Sequence, residues 1–218
     1  MNYIKKKDFL SNSDFTKKET LDLLDLALNF KEDPFFKNIG KKVLGLVFDK
    51  ASTRTRVSFQ VAMSRLGGTT IDLNPGTTQI GRGEPIKDTA RVLSRYCDVL
   101  AIRTFNHCDI KEYAKWATIP VINALTDLEH PCQALADFLT MKEEFGSFNK
   151  INLTFIGDGN NVANSLIICG SILGAKINIV CPKGFEPPKE IIEVAKNKSD
   201  HNSEILVTNN LDEGVKGS

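Results

Sequence analysis

A run of hydroxyl and guanidinium side chains lies directly after an apolar segment near position 50. The run reads Ser52-Thr53-Arg54-Thr55, and the segment before it, 42–48, is typical of a buried parallel strand. A helical pattern follows, so the run occupies a strand-to-helix turn, where the first helical amides lack partners and favour an anion. The hydroxyls can donate hydrogen bonds, and Arg54 offers a planar fork suited to phosphate. The pattern predicts a site for a phosphorylated anion.

The same residues have a plainer interpretation. Serine and threonine cap helices routinely, and an arginine in a first helical turn is often only solvated. The turn also matches neither glycine-rich phosphate loop, since no Gly-x-x-x-x-Gly-Lys or Gly-x-Gly-x-x-Gly run occurs there. Nucleotide binding is therefore not indicated.

Two further groups are candidates for the same site. Arg103 ends a second apolar segment, and because parallel strands end at one edge of a sheet, we expect Arg103 to meet the anion. His130 precedes Pro131 at the start of a long helix, where the helix field favours a neutral imidazole that can donate a hydrogen bond. For His130, a simple capping role is an equal alternative. Cys132 is expected to pack rather than to act as a nucleophile, because no Cys-His-Asn geometry follows from a histidine two residues away.

Alternating strand and helix patterns must position these residues. The segments predicted as strands are 42–48, 69–73, 99–103, 121–123, 151–156, 177–181 and 206–207. The helical patterns are found within 13–28, 57–66, 86–96, 110–117, 128–145, 161–173 and 189–197. This alternation predicts an α/β fold of two doubly wound parallel-sheet domains, of which the second is incomplete. We place the first domain at 1–145 and the second at 146–218, joined near Gly146.

The bulk composition excludes several classes of protein. The 218 residues carry 28 Lys plus Arg against 27 Asp plus Glu, so no bulk field favours nucleic acid or an anionic membrane. No apolar run approaches a membrane span, and no secretory signal is visible at the start. The five cysteines form no close metal-type pair, and an odd number indicates free thiols in a reducing compartment. The composition therefore favours the cytoplasm.

Three separated motifs together resemble a known family. The stretch 52–59 resembles the carbamoyl phosphate signature of the aspartate and ornithine carbamoyltransferases. The spacing from there to Arg103, and then to His130-Pro131-Cys132-Gln133, is also similar to that of the family. The resemblance is densest over 42–145 and looser over the rest of the chain.

Three shorter stretches of the sequence resemble the ornithine branch of that family. The stretch 79–91, which begins Gln79-Ile80-Gly81-Arg82-Gly83-Glu84, looks like that branch, whereas the aspartate branch usually shows Ser-x-x-Lys-Gly-Glu there. The Pro-Cys-Gln form at 131–133 and the stretch 157–165 also resemble the ornithine branch. Asn161 matches the family asparagine that contacts ornithine, although without the resemblance we would take this turn for a plain helix cap.

The resemblance implies a reaction and a role for each residue. The expected reaction transfers the carbamoyl group of carbamoyl phosphate to the δ-amine of L-ornithine, giving L-citrulline and phosphate, with no metal or organic cofactor. The residues implied for the phosphate are Ser52, Thr53, Arg54 and Thr55. Arg54, Arg103 and His130 would polarise the carbonyl oxygen, and Gln133 would fix the carbamoyl nitrogen. Gln79 lies on a loop that reaches a neighbouring subunit's site in the family, which implies a homotrimer.

Other assignments stay open at this point. Gln60 stands where a glutamate is common in the family, and the lead-in 49–51 also departs from it, but neither is a presumed ligand contact. Family members continue past Ser218 into segments that are absent here, so we expect a truncated chain with little activity of its own. Comparing citrulline formation by this chain and by one extended past Ser218 tests that expectation. The rival functions are carbamoyl transfer to aspartate, putrescine or an N-acylated ornithine, a non-catalytic subunit that binds carbamoyl phosphate, and an incidental sulfate-type site.

Overall fold

The computed structural model describes residues 8–74, 76 and 78–218, and these form two compact units. The first unit holds Leu28–Asp127 and the described residues up to Leu10. The second unit holds Ser11–Ala27 and Leu128–Ser218. Each unit contains one parallel sheet with helical connections, which confirms the predicted α/β class.

The described strands and helices alternate along the chain. The strands are β1 (Val43–Phe48), β2 (Thr69–Leu73), β3 (Val99–Arg103), β4 (Val121–Leu125), β5 (Asn152–Ile156), β6 (Lys176–Val180) and β7 (Glu204–Thr208). The helices are α1 (Lys17–Glu32), α2 (Arg54–Arg65), α3 (Ile86–Leu93), α4 (His107–Trp116), α5 (Pro131–Phe145), α6 (Asn161–Leu173), α7 (Lys189–Lys198) and α8 (Leu211–Gly214).

The sheet of the first unit has a topological switch point between β1 and β3. Its strand order is β2-β1-β3-β4, and every neighbouring pair is parallel. The chain leaves β1 through α2 towards β2 on one side, and it leaves β3 through α4 towards β4 on the other. Open sheets of this kind bind ligands in the crevice outside the carboxyl ends of two such strands. The turn after β1 and the end of β3 meet at this place.

The two central strands of this sheet are buried on both faces. Side chains alternate across a strand, so Leu44, Leu46 and Phe48 pack with Met63 of α2 on one face. On the other face, Val47 packs with residues of β3 and α4, including Ile110. Burial on both faces explains why 43–48 reads as a nearly continuous apolar run rather than an alternating one.

The second unit is built around a helix that is buried on almost every side. Its sheet has the order β5-β6-β7, all parallel, and all residues of α6 from Ala163 to Leu173 are buried. Helices α5 and α7 contribute Phe138 and Ile191 to the same apolar cluster, and Leu24 of α1 joins it. The start of α6 is therefore fixed by the core behind it.

Several predicted boundaries differ from the structure. Helix α5 begins at Pro131, as the proline indicated, and not at 128, where the apolar helical pattern begins. Helix α4 begins at His107, earlier than predicted, because the Asn106 side chain accepts a hydrogen bond from the Cys108 amide at 3.0 Å and caps it. The short helix α8 has no counterpart among the predicted elements.

The compact units also divide the chain differently from the predicted domains at 1–145 and 146–218. Helix α5 packs within the second unit, where the rings of Phe138 and Phe148 meet edge to face with centroids 5.9 Å apart. Its amphipathic pattern shows that α5 has an apolar face but not which sheet covers it. The boundary near Gly146 stays a prediction about functional domains, whereas packing places the division at Asp127.

Candidate active site

The predicted anion turn leaves β1 at the switch point of the first sheet. Ser52 and Thr55 are half-buried, and Thr53 and Arg54 are exposed. Thr53 occupies the N-cap position of α2, yet within the described part of the chain its side chain makes no capping hydrogen bond. The plainer interpretation of this turn as a capped helix start therefore does not account for Thr53.

A cavity of about 480 Å³ opens beside the turn, a size suited to a small molecule. Its lining residues are Phe48, Asp49, Ala51, Ser52, Thr53, Arg56, Asn74 and Gly76. Arg56 is half-buried, and its guanidinium pairs with Asp72. The guanidinium carbon Cζ of Arg56 lies 4.9 Å from the centroid of the Phe48 ring. The sequence analysis gave Arg56 no role. It stands two residues after Arg54, and residues with this spacing project from different sides of a helix.

Arg103 ends β3 next to this turn, as predicted. It is the register partner of Phe48, and its carbonyl accepts a hydrogen bond from the Asp49 amide at 2.8 Å. Its side-chain Nε is buried and has no hydrogen-bond partner among the described residues. Burial lowers the pKa of the Arg103 guanidinium, but an arginine remains charged at neutral pH. A buried cationic donor without a partner is costly, so an anion at this place would be stabilised.

Gln79 lies on the connection between β2 and α3. It begins a short 3₁₀ helix, Gln79–Arg82, and its side chain is exposed. Asn74 and Gly76 of the same connection line the cavity, but Gln79 does not. The predicted contact of Gln79 with a neighbouring subunit stays a prediction.

His130 is the N-cap residue of α5, with Pro131 at the first helical position as predicted. In the described structure its side chain makes no capping hydrogen bond, so capping does not explain the imidazole. Its backbone amide donates to the Ser165 hydroxyl at 2.9 Å, and Asn164 Nδ2 donates to the Leu128 carbonyl at 2.9 Å. Residues of α6 therefore hold the turn that carries His130.

Glu129 is a buried acid that sequence analysis did not single out. Its side chain is packed within the second unit, with the whole residue only 3% exposed. Its Oε2 accepts hydrogen bonds from the Asn12 amide at 3.4 Å and from the Ser165 hydroxyl at 3.5 Å. Burial raises the pKa of the Glu129 carboxyl to about 7, against the opposing effect of these hydrogen bonds and one from Ser11. Asn12 is 117 positions away, so no local pattern reveals this burial.

The remaining predicted residues lie at the starts of two helices of the second unit. Gln133 is exposed in the first turn of α5, and its Nε2 donates to Asp137 at 2.9 Å. Asn161 is the half-buried first residue of α6. The cap before it is Asn160, whose Oδ1 accepts from the amides of residues 162 and 163. The bond between Ser165 and the His130 amide brings these two helix starts together.

The cysteines and acids do not form a second kind of site. Each of the five cysteines is a free thiol, as predicted, and burial raises the pKa of Cys132 to about 12, so its thiol is a poor nucleophile at neutral pH. Among the described residues, no three His, Cys, Asp or Glu side chains come together as a metal ion would require. In the described ranges, no helix is both long and apolar enough to span a bilayer.

Known proteins resemble the chain along most of its length. Residues 7–143 match the model for the carbamoyl-P binding domain of aspartate/ornithine carbamoyltransferase, and residues 149–218 match its Asp/Orn binding domain. The ornithine carbamoyltransferase of Prochlorococcus marinus (strain MIT 9312) is 68% identical over 202 residues, which are 91% of this chain and 66% of that protein. The one from Nostoc sp. (strain PCC 7120) is 54% identical over 97% of this chain and 69% of its own length.

A solved structure agrees with this result. Ornithine carbamoyltransferase from Pyrococcus furiosus superposes with a TM-score of 0.92 at 42% identity, covering 96% of this chain and 69% of that one. The chain thus spans about two thirds of the length of these relatives. The matches run through both compact units, including the turn after β1, the end of β3 and the start of α5. The chain belongs to the aspartate/ornithine carbamoyltransferase family.

Proposed function

We propose that the protein transfers the carbamoyl group of carbamoyl phosphate to the δ-amine of L-ornithine, giving L-citrulline and phosphate, as a step of arginine biosynthesis. The first unit is the carbamoyl phosphate-binding part. Relatives that carry the name ornithine carbamoyltransferase and match most of the chain support ornithine as the acceptor. Their names also favour ornithine over the rival acceptors aspartate, putrescine and N-acylated ornithine.

One observation carries the proposal for the first substrate. Arg103 ends β3 in register with Phe48, the last residue before the connection that holds the turn 52–55, and its buried Nε has no hydrogen-bond partner among the described residues. The cavity is lined by Ser52 and Thr53 of the turn, and Arg103 is not one of its lining residues. A phosphorylated dianion would give that cation a charge partner and accept hydrogen bonds from the hydroxyls. It would also interact with the positive end of α2, whose first amides point out of the helix.

The reaction needs charge stabilisation and orientation rather than a protein nucleophile. The neutral δ-amine attacks the carbonyl carbon, a C–N bond forms, the C–O bond to phosphate breaks, and the leaving phosphate accepts the proton of the amine. Negative charge grows on the carbonyl oxygen during the attack, and we assign its stabilisation to Arg54, Arg103 and His130. Gln133 is assigned to the carbamoyl nitrogen and Asn161 to ornithine. Holding both substrates in line lowers the barrier further.

The assembly and the compartment are part of the same proposal. The exposed position of Gln79 on a long connection is compatible with a contact to the site of a neighbouring subunit in a homotrimer. The balance of charges and the free thiols favour the cytoplasm.

Calorimetric titration with carbamoyl phosphate tests the first half of the proposal. The chain is expected to bind it, and Arg103→Met is expected to bind about 10- to 100-fold more weakly, because a charge-assisted hydrogen bond contributes roughly 1.5–3 kcal/mol. Arg95→Met is a matched control, since Arg95 is an exposed arginine before β3 rather than at its end. Equal affinity in the Arg103 and Arg95 variants would refute the assignment.

The acceptor is tested by the enzyme activity of the protein that contains this chain. Ornithine, aspartate, putrescine and N-acetylornithine are offered separately with carbamoyl phosphate, and the carbamoylated products are quantified. Ornithine is expected to give the highest kcat/KM. A higher value for any other amine would replace the acceptor but leave the carbamoyl phosphate site in place.

A further inference from the structure

Lys50 joins three loops at the carboxyl edge of the first sheet. Its ammonium group pairs with Asp127 and also lies 4.4 Å from the centroid of the Phe105 ring. Lys50, Phe105 and Asp127 each stand two residues after the end of a strand, namely β1, β3 and β4. These strands are neighbours in the sheet, so one side chain ties together the three loops that leave them.

Backbone hydrogen bonds continue the sheet into these loops. The Asp49 amide donates to the Arg103 carbonyl at 2.8 Å, and the Asp127 amide donates to the Phe105 carbonyl at 2.8 Å. Lys50 is two residues before Ser52, and Phe105 is two residues after Arg103. The contact of Lys50 with Phe105 and Asp127 therefore links the chain just before the turn 52–55 to the chain just after Arg103.

We propose that Asp127 is a positioning residue for carbamoyl phosphate binding, acting through Lys50, which it holds across the Phe105 ring. This inference rests on the proposed function of the first unit. Asp127 does not line the cavity and carries the same sign of charge as the ligand, so it acts on the geometry of the turn and not by contact.

The contact of Lys50 with Asp127 and Phe105 is expected to matter more for ligand binding than for the free energy of unfolding. The Lys50 side chain is 23% exposed and that of Asp127 is 61% exposed, so solvent screens the pair. Ion pairs with such exposure contribute little to folding. A ligand site tolerates less displacement, because hydrogen bonds from several groups must converge on one phosphate.

The variant Asp127→Asn separates positioning from simple electrostatics, since the two predict opposite signs. If only the field matters, removing a negative charge near a dianion site strengthens binding. If Asp127 positions Lys50, the variant binds carbamoyl phosphate about five- to tenfold more weakly. Titration of the purified chain with carbamoyl phosphate measures this, with inorganic phosphate as a second probe. Affinity that is unchanged or tighter overturns the proposal.

A second lysine–aspartate ion pair in the same sheet provides a control. Lys42 and Asp98 pair at 2.8 Å at the opposite edge of the sheet, before β1 and β3. Asp98→Asn is expected to leave the affinity for carbamoyl phosphate within about twofold of wild type, at a similar cost in stability. Equal loss of affinity in both variants would indicate a general effect on the sheet and would overturn the proposal.

Lys50 itself supplies the remaining arms of the experiment. Lys50→Met removes both the pairing and the stacking and is expected to weaken binding at least as much as Asp127→Asn. Lys50→Arg can pair with Asp127 and stack on Phe105, so it is expected to retain most of the affinity. A wild-type chain that binds no carbamoyl phosphate defeats the proposed function itself, whereas normal wild-type binding with intact binding in Asp127→Asn defeats this inference alone.

Discussion

Two strand-to-helix turns, one in each unit, each follow the strand that comes first along the chain in a parallel sheet, yet their helix starts differ. Thr53 at the start of α2 makes no capping hydrogen bond with its side chain among the described residues. Asn160 at the start of α6 accepts from the amides of Val162 at 3.0 Å and Ala163 at 3.1 Å. A cap that binds its own helix amides leaves fewer donors for a ligand. The first turn is therefore the better anion site.

The surroundings of the two turns also make the first turn the more accessible to a ligand. The first turn borders a cavity of about 480 Å³. The second is packed against its own unit, since a Cβ added to Gly159 would lie 2.3 Å from the backbone nitrogen of Pro187. A glycine is needed where two backbones approach so closely. The second turn is closed by the chain itself, and only the residues at its helix start remain to meet a substrate.

One ionisable side chain in each unit, Arg103 and Glu129, extends this comparison. Arg103 in the first unit is half-buried with a buried Nε, and it keeps its charge there, so an anionic ligand would stabilise it. Glu129 in the second unit can become neutral by taking up a proton, because burial raises its pKa to about 7. The environment of Arg103 therefore favours an anionic ligand, whereas the burial of Glu129 changes only the protonation of its own carboxyl.

The largest predicted effect is on the pH dependence of stability in the second unit. Because the pKa of Glu129 is raised on folding, its favourable contribution is complete below its unfolded pKa and is lost as the pH rises through about 7. Ionised Glu129 is expected to cost roughly 3 kcal/mol at pH 8. Glu129→Gln removes this cost, so its free energy of unfolding should exceed that of wild type by that amount at pH 8 and by less than about 1 kcal/mol at pH 5.

Hydrogen exchange of the buried amides of α6 measures this difference, since α6 forms the centre of the second unit. Trp116, the only tryptophan, lies in the first unit, and its fluorescence provides the internal control for that unit. A stability difference that is the same at pH 5 and pH 8 would show that Glu129 is already ionised at pH 5. The contrast between the two buried groups would then be lost.

The next prediction concerns the cap of the second turn. Asn160→Ala removes the acceptor of two helix amides and is expected to lower the free energy of unfolding of the second unit by about 1 kcal/mol. Asn160→Asp should restore it, because a carboxylate also caps and interacts well with the helix dipole. Urea unfolding followed by circular dichroism measures both. Carbamoyl phosphate affinity should stay unchanged, and a loss in Asn160→Ala would break the comparison between the turns.

The sequence was sufficient for the part of the site that depends on topology. Strand patterns placed the turn 52–55 and Arg103 at strand ends, and parallel order brings such ends together without knowledge of any side-chain contact. Pro131 likewise indicated the start of α5, and with it the N-cap position of His130. These inferences use only local periodicity and the alternation of strands with helices, which implies parallel sheets.

The parts that escaped prediction depend on contacts between distant segments. Glu129 is buried by the segment around Asn12, and α5 packs with the second unit because Phe138 meets the core formed by α6. The ion pair between Lys50 and Asp127 joins residues 77 positions apart in the sequence. No periodic pattern marks such pairs, because a charged residue has the same local signature whether its partner is water or a remote side chain. The start of α4 was displaced for a different, local reason, because the Asn106 cap decides it.

The smallest effect on stability is expected at Thr53, and it is the counterpart of the Asn160 variant. Thr53→Ala removes no capping bond, so the free energy of unfolding should change by less than about 0.5 kcal/mol, although an N-cap threonine normally contributes about 1. The affinity for carbamoyl phosphate should fall about three- to tenfold, because one hydroxyl donor is lost, and Thr53→Ser should retain it. Chemical unfolding and titration of the same samples separate the two quantities. If Thr53→Ala instead destabilises the chain as much as Asn160→Ala and binds normally, then Thr53 caps α2 in solution, and the two turns are alike after all.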